Sequence, residues 1–257
     1  NPFVFDDNYH LVDKPVLRDL GNLGGILAQD RFRPVINLMY AVEYALWGLN
    51  PLGFHVVSLL LHLANVALLF WASCLLFGDL RRARGAPDDD DDGNPGAART
   101  SMAAFFTAAL LAVHPMMTET AGYVSSRPEV LGATLFLLGF LAMRRGLVQR
   151  QWRWMVAGLV PLVIGLGTKE HVAMLPFVML AYDRLLLDRG AGARQRRLWL
   201  LPLAGVVLVA GAARVAALVW LEYTDLPRPI WQNLLMQLSI IWRYIFLLVP
   251  PVGQSVV

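Results

Sequence analysis

The chain has 257 residues, of which 57% are hydrophobic and 16% are charged, and its formal net charge is +3. Soluble domains carry about 25% charged residues, so this composition and a mean hydropathy of +0.52 exclude an ordinary water-soluble core. The apolar residues form blocks separated by short basic or turn-rich stretches, which is typical of a polytopic membrane protein. We therefore predict an all-α fold with one integral membrane domain.

The opening segment, FVFDDNYHLVDKP at residues 3–15, carries two adjacent carboxylates, Asp6 and Asp7, between aromatic and aliphatic residues. Neighbouring side chains point in different directions in most backbone conformations, so one carboxylate can face a cavity while the other fixes a loop. Apolar neighbours desolvate a carboxylate and strengthen it as a general base. The dipeptide alone favours the structural alternative, a helix cap or a turn.

An amphipathic helix is predicted next, in RPVINLMYAVEYALWGLNP, with Pro34 near its start and GLNPLG as its stop. Its apolar residues recur at three- and four-residue spacing: Val35, Leu38, Met39, Val42, Leu46 and Leu49. We expect this helix to lie at the membrane interface within an external loop, residues 1–52, with Tyr40, Tyr44 and Trp47 as headgroup anchors. A simple packing helix fits the pattern equally well.

Residues 53–257 are predicted to contain about seven membrane helices, at 53–77, 101–114, 128–143, 154–168, 172–187, 198–221 and 230–249. Several are shorter than the roughly 20 residues that a span needs, and short helices fit a protein that holds a polar site within the membrane. Within these blocks, His55, His62 and Asn65 share a helical face, which favours hydrogen bonds between helices.

Arginine counts predict the orientation. Three loops are rich in arginine and are assigned to the cytoplasm; they hold Arg81, Arg82, Arg84 and Arg99, then Arg144, Arg145, Arg150 and Arg153, then Arg189, Arg194, Arg196 and Arg197. The opening segment then lies outside. The aspartate run at 88–92 lacks the spaced ligands of a calcium loop, so residues 78–100 are predicted to be a flexible cytoplasmic linker.

Ionisable residues near apolar blocks are costly and point to function. On the predicted external side they are Asp6, Asp7, His114, Glu119, Arg127, Lys169, Glu170 and His171. Arg127 precedes the helix start at Pro128, and a guanidinium beside a helix N-terminus suits a phosphate. Lys169 and Glu170 form either a structural ion pair or a phosphate-binding cation with a carboxylate nearby. His114 caps its helix or faces the same pocket.

Two further sites are weaker candidates. Arg243 lies in an otherwise apolar segment and is a second candidate for an anionic headgroup. Asp6, Asp7, His10 and Glu119 offer acceptable metal ligands, but no tight ligand motif supports them, so we expect no required metal or other cofactor. The chain begins at Asn1 without a signal peptide and stops in PPVGQSVV, which predicts a fragment of a longer membrane domain.

Four stretches occur in the order seen in a known family: FVFDDNYHLVDKP, RFRPVINLMYAVEYALWGLNPLGFHVVSLLLHLANVALLF, LLAVHPMMTETAGYVSSRPEVLGATLFLLGFLA and GLGTKEHVAMLPFVMLAYD. Together they resemble the membrane O-mannosyltransferases that carry tetratricopeptide repeats, and their bacterial relatives. That family is similar to the C-type membrane glycosyltransferases, which transfer a sugar from a polyprenyl-phosphate carrier on the non-cytoplasmic face.

The resemblance implies an inverting transfer to a hydroxyl acceptor, such as a protein Ser or Thr, with Asp6 or Asp7 as the general base. Arg127 and Lys169 match the cations that neutralise the leaving phosphate, with Arg243 a less certain third. His114, Glu119 and Glu170 are then expected to line the site. The implied partners are the lipid-linked donor, the acceptor and membrane lipid, without nucleic acid, and the implied location is a bacterial inner membrane with the site facing the periplasm or exterior.

Two other functions compete with the transferase. A transporter or flippase for a lipid-linked or small anionic solute would use the same cations without chemistry, although no internal repeat supports it. A non-catalytic scaffold is the third possibility, and it predicts that replacement of the acidic pair changes nothing.

Overall fold

The computed structural model describes residues 3, 6–85, 95–114, 117, 122–187, 193–222 and 230–247. Every regular element among these residues is helical, which confirms the predicted all-α fold. The α-helices are α1 (Leu23–Gln29), α2 (Pro34–Trp47), α3 (Pro51–Ala83), α4 (Pro95–Val113), α5 (Arg127–Gln149), α6 (Trp152–Leu166), α7 (Leu175–Tyr182), α8 (Ala193–Glu222) and α9 (Ile230–Leu247). Short 3₁₀ or π-helical turns occupy Asn8–Val12, Pro15–Arg18, Val124–Ser126, Glu170–Met174 and Asp183–Leu187.

The long apolar helices make the chain a multi-pass membrane protein. Within the described residues, four stretches are long and apolar enough to cross a membrane: Pro51–Ala83, Gly96–Val113, Val124–Gln149 and Arg196–Ala217. Trp152–Leu166 is apolar but shorter. Each of the seven predicted blocks falls on helical sequence, and the number of spans beyond these four stays a prediction.

Several helices extend beyond their predicted bounds and carry predicted loop arginines with them; α4 and α8, for example, begin early enough to include Arg99 and Arg194. α3 continues to Ala83 and α5 to Gln149, so Arg81, Arg82 and Arg144 are helical. Arginine is a good helix former, and a charged residue therefore does not end a helix as glycine or proline does.

One of these arginines is buried between helices instead of solvated. Arg144 is 7% exposed and donates from Nε and Nη2 to the two carboxylate oxygens of Asp79, each at 2.7 Å. Its Nε also lies 2.9 Å from the Tyr182 hydroxyl, which in turn donates to Asp79. This network joins α3, α5 and α7, and it corrects the expectation that Arg144 belongs to a loop.

The helices α5 and α6 form a closely packed pair. α5 and α6 approach at glycines: a Cβ atom placed on Gly158 would lie 3.2 Å from the Gly139 carbonyl oxygen and 2.5 Å from Cγ of Met143. The absence of a side chain there lets the two backbones touch. Asn65 of α3 joins the same pair by donating to the Val130 carbonyl at 2.9 Å, which confirms the predicted hydrogen bond between helices.

The predicted amphipathic helix is present as α2, and its apolar stripe faces outward. Leu38, Val42 and Leu46 are 36%, 43% and 64% exposed, whereas the opposite face packs inward. Tyr40 lies on the inner face at 2% exposure. The prediction that Tyr40 anchors the helix at headgroup level is therefore wrong, because its ring points into the protein. Membrane contact of the outer face stays a prediction.

The chain divides into two compact units, Asn1–Ala204 and Gly205–Val257, with the boundary inside α8. The first unit holds every predicted site residue except Arg243. The second contains the rest of α8 and the helix α9.

Candidate functional site

The two adjacent carboxylates of the opening segment have opposite environments. Asp6 is exposed, whereas Asp7 is fully buried and its Oδ1 accepts a hydrogen bond of 2.7 Å from the backbone N–H of Ser125. Both residues are helical and lead into the turn Asn8–Val12. Successive side chains on a helix diverge by about 100°, so one carboxylate faces solvent and the other faces the protein.

The short turn Val124–Ser126 holds Asp7 and is itself held by α2. The hydroxyl of Tyr40 donates to the Val124 carbonyl at 2.9 Å. Both residues belong to a buried apolar cluster that also includes Leu11 of the opening segment and Phe54 at the start of α3. The opening segment, α2, α3 and the turn therefore share one core.

Arg127, the first residue of α5, directly follows this turn and is only 1% exposed to solvent. Its Nη1 donates to both carboxylate oxygens of Glu43, at 2.5 Å and 2.6 Å. Its Nη2 donates to the Phe54 carbonyl at 2.7 Å and to the Ser58 hydroxyl at 2.9 Å. The guanidinium also lies 5.4 Å from the centre of the Tyr40 ring. A phosphate could reach Arg127 only if Glu43 moved away.

The burial of this cluster changes its ionisation. Burial raises the pKa of the Glu43 carboxyl above its usual range, while the charge and hydrogen bonds of Arg127 act in the opposite direction. Burial likewise raises the pKa of the Tyr40 hydroxyl far above its usual value, against the effect of Arg127. Tyr40 therefore remains a neutral hydrogen-bond donor at any physiological pH.

Lys169 lies at the same end of α5. Its Nζ contacts the Glu129 carboxylate at 2.6 Å, with 26% of the Lys169 side chain and 51% of the Glu129 side chain exposed. The adjacent Glu170 is exposed and begins the turn Glu170–Met174. Of the two predicted interpretations, the structure gives Lys169 an ion pair, but with Glu129 instead of Glu170, and it leaves the ammonium accessible.

His171 completes this group: the residue is exposed, but one edge of its ring lies against α5. A Cβ atom placed on Gly132 would lie 2.7 Å from Cε1 of the His171 ring, so only glycine allows this approach without a shift of the ring. Partial burial lowers the pKa of His171 below its ordinary value; Glu129 and Glu170 oppose that change, and Lys169 reinforces it. The imidazole is therefore neutral at pH 7.

The other predicted site residues lie on or beside other helices, or outside the described residues. His114 follows the end of α4, where its backbone N–H donates to the Leu110 carbonyl at 2.9 Å. Glu119 and the aspartate run at 88–92 lie outside the described residues. Arg243 is exposed on α9 in the second unit. In the parts of the chain that are described, no three His, Cys, Asp or Glu side chains group as a metal site would require.

The start of α5 thus brings the predicted residues together. Ser125 binds Asp7 and Glu129 binds Lys169, and Glu129 is four residues after Ser125 along helical chain, a rise of roughly 6–8 Å. The result is an exposed carboxylate, an accessible ammonium and a neutral imidazole at one end of the first unit. Such a set can accept a proton from a hydroxyl and neutralise an anionic leaving group.

Sequence reasoning missed two carboxylates of this site, Glu43 and Glu129. The signal for Glu43 was a lone acidic residue in the apolar stretch YAVEYALW, beside the predicted stripe. For Glu129 the signal was an acidic residue in the first turn after Arg127 and Pro128, a position that the helix dipole favours.

Comparison with known proteins gives consistent relatives. The chain is 32% identical over 162 residues to human protein O-mannosyl-transferase TMTC1, which covers 57% of this chain and 16% of the relative. It is 34% identical over 152 residues to Drosophila melanogaster Tmtc3 (54% and 16%) and 33% identical over 159 residues to human TMTC4 (54% and 20%). The chain thus spans a fifth or less of the length of these relatives. No family model and no solved structure matches it.

Proposed function

We propose that this chain, a homologue of the protein O-mannosyl-transferases TMTC1, Tmtc3 and TMTC4 over about half of its length, carries the acceptor-activating part of a membrane protein O-glycosyltransferase. The donor is a sugar, such as mannose, linked to a polyprenyl phosphate. The acceptor is a Ser or Thr hydroxyl of a protein. The reaction takes place on the non-cytoplasmic face, in a bacterium the periplasmic side of the inner membrane.

The observation that carries the proposal is the division of the acidic pair. Asp6 is exposed at the end of the unit where Lys169 lies, and Asp7 is buried and held by Ser125. Asp6 is thus assigned as the general base, and Asp7 positions it. Lys169 neutralises the departing phosphate, and His171 and Glu170 lie beside it.

The proposed chemistry is a single displacement. The Asp6 carboxylate accepts the proton of the acceptor hydroxyl as that oxygen attacks the anomeric carbon. The bond from the anomeric carbon to the phosphate oxygen breaks, and the electron pair leaves with the lipid phosphate. Attack from the face opposite the leaving group inverts the configuration. No metal, nucleotide or covalent enzyme intermediate is required by this sequence of steps.

The test is transfer of a radiolabelled sugar from polyprenyl-phosphate donors to a peptide acceptor, by membranes that contain the complete encoded protein. Asp6→Asn should lower the rate on the order of 100-fold or more because the amide cannot accept the proton. Asp7→Asn should lower it less, because the amide oxygen still accepts from Ser125. Asp13→Asn, an exposed residue of the same segment, is the matched control.

Three outcomes would contradict these assignments. If Asp7→Asn is the more damaging change in a protein that still folds, Asp7 is the base. If both variants retain transfer, the base lies among Glu119, Glu170 and His114. If a panel of donors gives no transfer with the unaltered protein, uptake of the same lipid-linked solutes would support a transporter instead.

A further inference from the structure

Arg127 has the largest side chain among the fully buried residues that the structure describes, yet it lies at the end of the first unit where the reaction is proposed to occur. Nη1 donates to Glu43, which balances the charge, and Nη2 donates to the Phe54 carbonyl and the Ser58 hydroxyl, while the buried Nε has no hydrogen-bond partner among the described residues. Lys169, by contrast, is partly exposed and pairs with an exposed carboxylate. An incoming phosphate therefore meets Lys169 before it could meet Arg127.

The contacts of Arg127 instead lead to the acidic pair. The guanidinium connects the start of α5 with Glu43 of α2 and with Phe54 and Ser58 of α3. Three residues before Glu43, Tyr40 donates to the Val124 carbonyl. The next residue, Ser125, donates its N–H to Asp7. The ion pair and the hydroxyl thus fix both ends of the turn that binds the opening segment.

We infer that Glu43 and Arg127 are a positioning pair, which holds the turn Val124–Ser126 so that Ser125 binds Asp7 and Asp6 faces the acceptor. This inference rests on the proposed function and replaces the phosphate-binding role that the sequence predicts for Arg127. Arg127 contacts neither donor nor acceptor. Its effect on transfer passes through Ser125 and Asp7.

The energetics of buried ion pairs predict how single and double substitutions of Glu43 and Arg127 will differ. Removal of one partner leaves the other charge buried and unpaired, which is strongly destabilising, whereas replacement of both by neutral groups of similar shape is well tolerated. Two neutral amides at these positions leave no buried charge without its partner. A positioning pair therefore predicts that the second substitution repairs the first.

The first experiment is a double-mutant cycle on the complete encoded protein in membranes, with kcat and the donor KM of sugar transfer measured for each variant. Glu43→Gln and Arg127→Gln should each lower kcat by about 10-fold or more and leave the donor KM within about 2-fold. The double variant should recover at least about 5-fold over the worse single variant. Lys169→Gln should instead raise the donor KM. Arg31→Gln is the control, because Arg31 is an exposed arginine just before α2, and this variant should match the unaltered protein.

A different pattern would overturn the inference. If Arg127→Gln raises the donor KM while Glu43→Gln does not, Arg127 binds the phosphate. If the double variant is no better than the worse single variant, the two residues do not act as a pair.

Hydrogen exchange measured by mass spectrometry gives a readout that needs no transfer activity. Each single variant should speed exchange in peptides covering 6–13 and 122–127, and the double variant should restore most of the protection, while a peptide from α5 covering 135–147 stays unchanged. Faster exchange in all of these peptides would show a general loss of structure and overturn the positioning role. If the unaltered protein transfers no sugar from any donor, the proposed function fails, but the exchange result still decides whether the pair fixes the turn.

Discussion

At the scale of single residues, the backbone conformation gives neighbouring side chains of the site different exposures and different partners. Asp6 and Asp7 lie in helical conformation and diverge, so one is exposed and the other is buried. Lys169 is extended, with φ −152° and ψ 145°, and consecutive side chains on an extended backbone point to opposite sides. Lys169 therefore pairs with Glu129 of α5 and not with its neighbour Glu170.

His171 gives the site a predicted sensitivity to acid. Its pKa is lowered in the folded protein, mainly by burial, so the unfolded chain binds a proton first as the pH falls. The stability that the neutral ring contributes is complete above the ordinary pKa of about 6.5 and is lost as the pH falls through the folded value. His171→Gln should therefore remove a small loss in melting temperature between pH 7 and pH 5, about 1 °C, because solvent around the exposed ring weakens the effect.

The measurement compares the two proteins in one detergent at each pH, because the difference between them removes the contribution of every other titrating group. The groups that face the ring are Glu129, Glu170 and Lys169, and all three remain in the variant. Parallel melting curves across this pH range would contradict the lowered pKa.

At the scale of secondary structure, the helices were predictable and the direction of their faces was not. Pro34 and the GLNPLG stop predicted α2 to within a few residues. Its apolar stripe could not reveal which side packs on the protein, because membrane lipid is as apolar as a protein core. The inner face carries Glu43 and Tyr40, whose hydrogen-bond partners are Arg127 of α5 and Val124 of the turn before α5.

The buried contact between α3 and α5 makes a testable contribution to stability. Asp79→Ala should lower the melting temperature in detergent on the order of 10 °C, because it leaves the Arg144 guanidinium buried without its carboxylate, a loss of about 3–5 kcal/mol. Thermal unfolding followed by size-exclusion chromatography would measure it.

Arg145→Gln is the matched control for this pair. Arg145 follows Arg144 on α5 but is exposed and contacts Gln149 and the Trp154 ring, so its loss should change the melting temperature little. Equal effects of the two substitutions would show that Asp79 and Arg144 contribute no more than a surface contact.

At the scale of the whole molecule, composition predicted a multi-pass helical protein, and the alternation of arginine-rich and arginine-poor loops predicted that the candidate site residues share one face of the membrane. The individual pairs could not be predicted. Glu43 and Arg127 are 84 positions apart, and the 40 positions between Glu129 and Lys169 include two helices. Such pairs depend on how helices pack, which no local pattern in one sequence records.

The sidedness of the molecule also stays a prediction, and cysteine labelling tests it. In a Cys74→Ala background, Gln29→Cys on the opening loop should react with a membrane-impermeant maleimide in intact cells. Arg84→Cys, at the end of α3, should react only after the membrane is permeabilised, because the arginine-rich loops are predicted to be cytoplasmic. The reverse labelling pattern would place the proposed site on the cytoplasmic side.

The Glu43–Arg127 pair also has a consequence for biosynthesis. Because 84 residues separate the partners, the ribosome makes the carboxylate on the order of ten seconds before the guanidinium that balances it. During that interval two long helices, α3 and α4, are synthesised while Glu43 has no Arg127 to pair with. The segment with the acidic pair can thus adopt its final conformation only after α5 begins to insert.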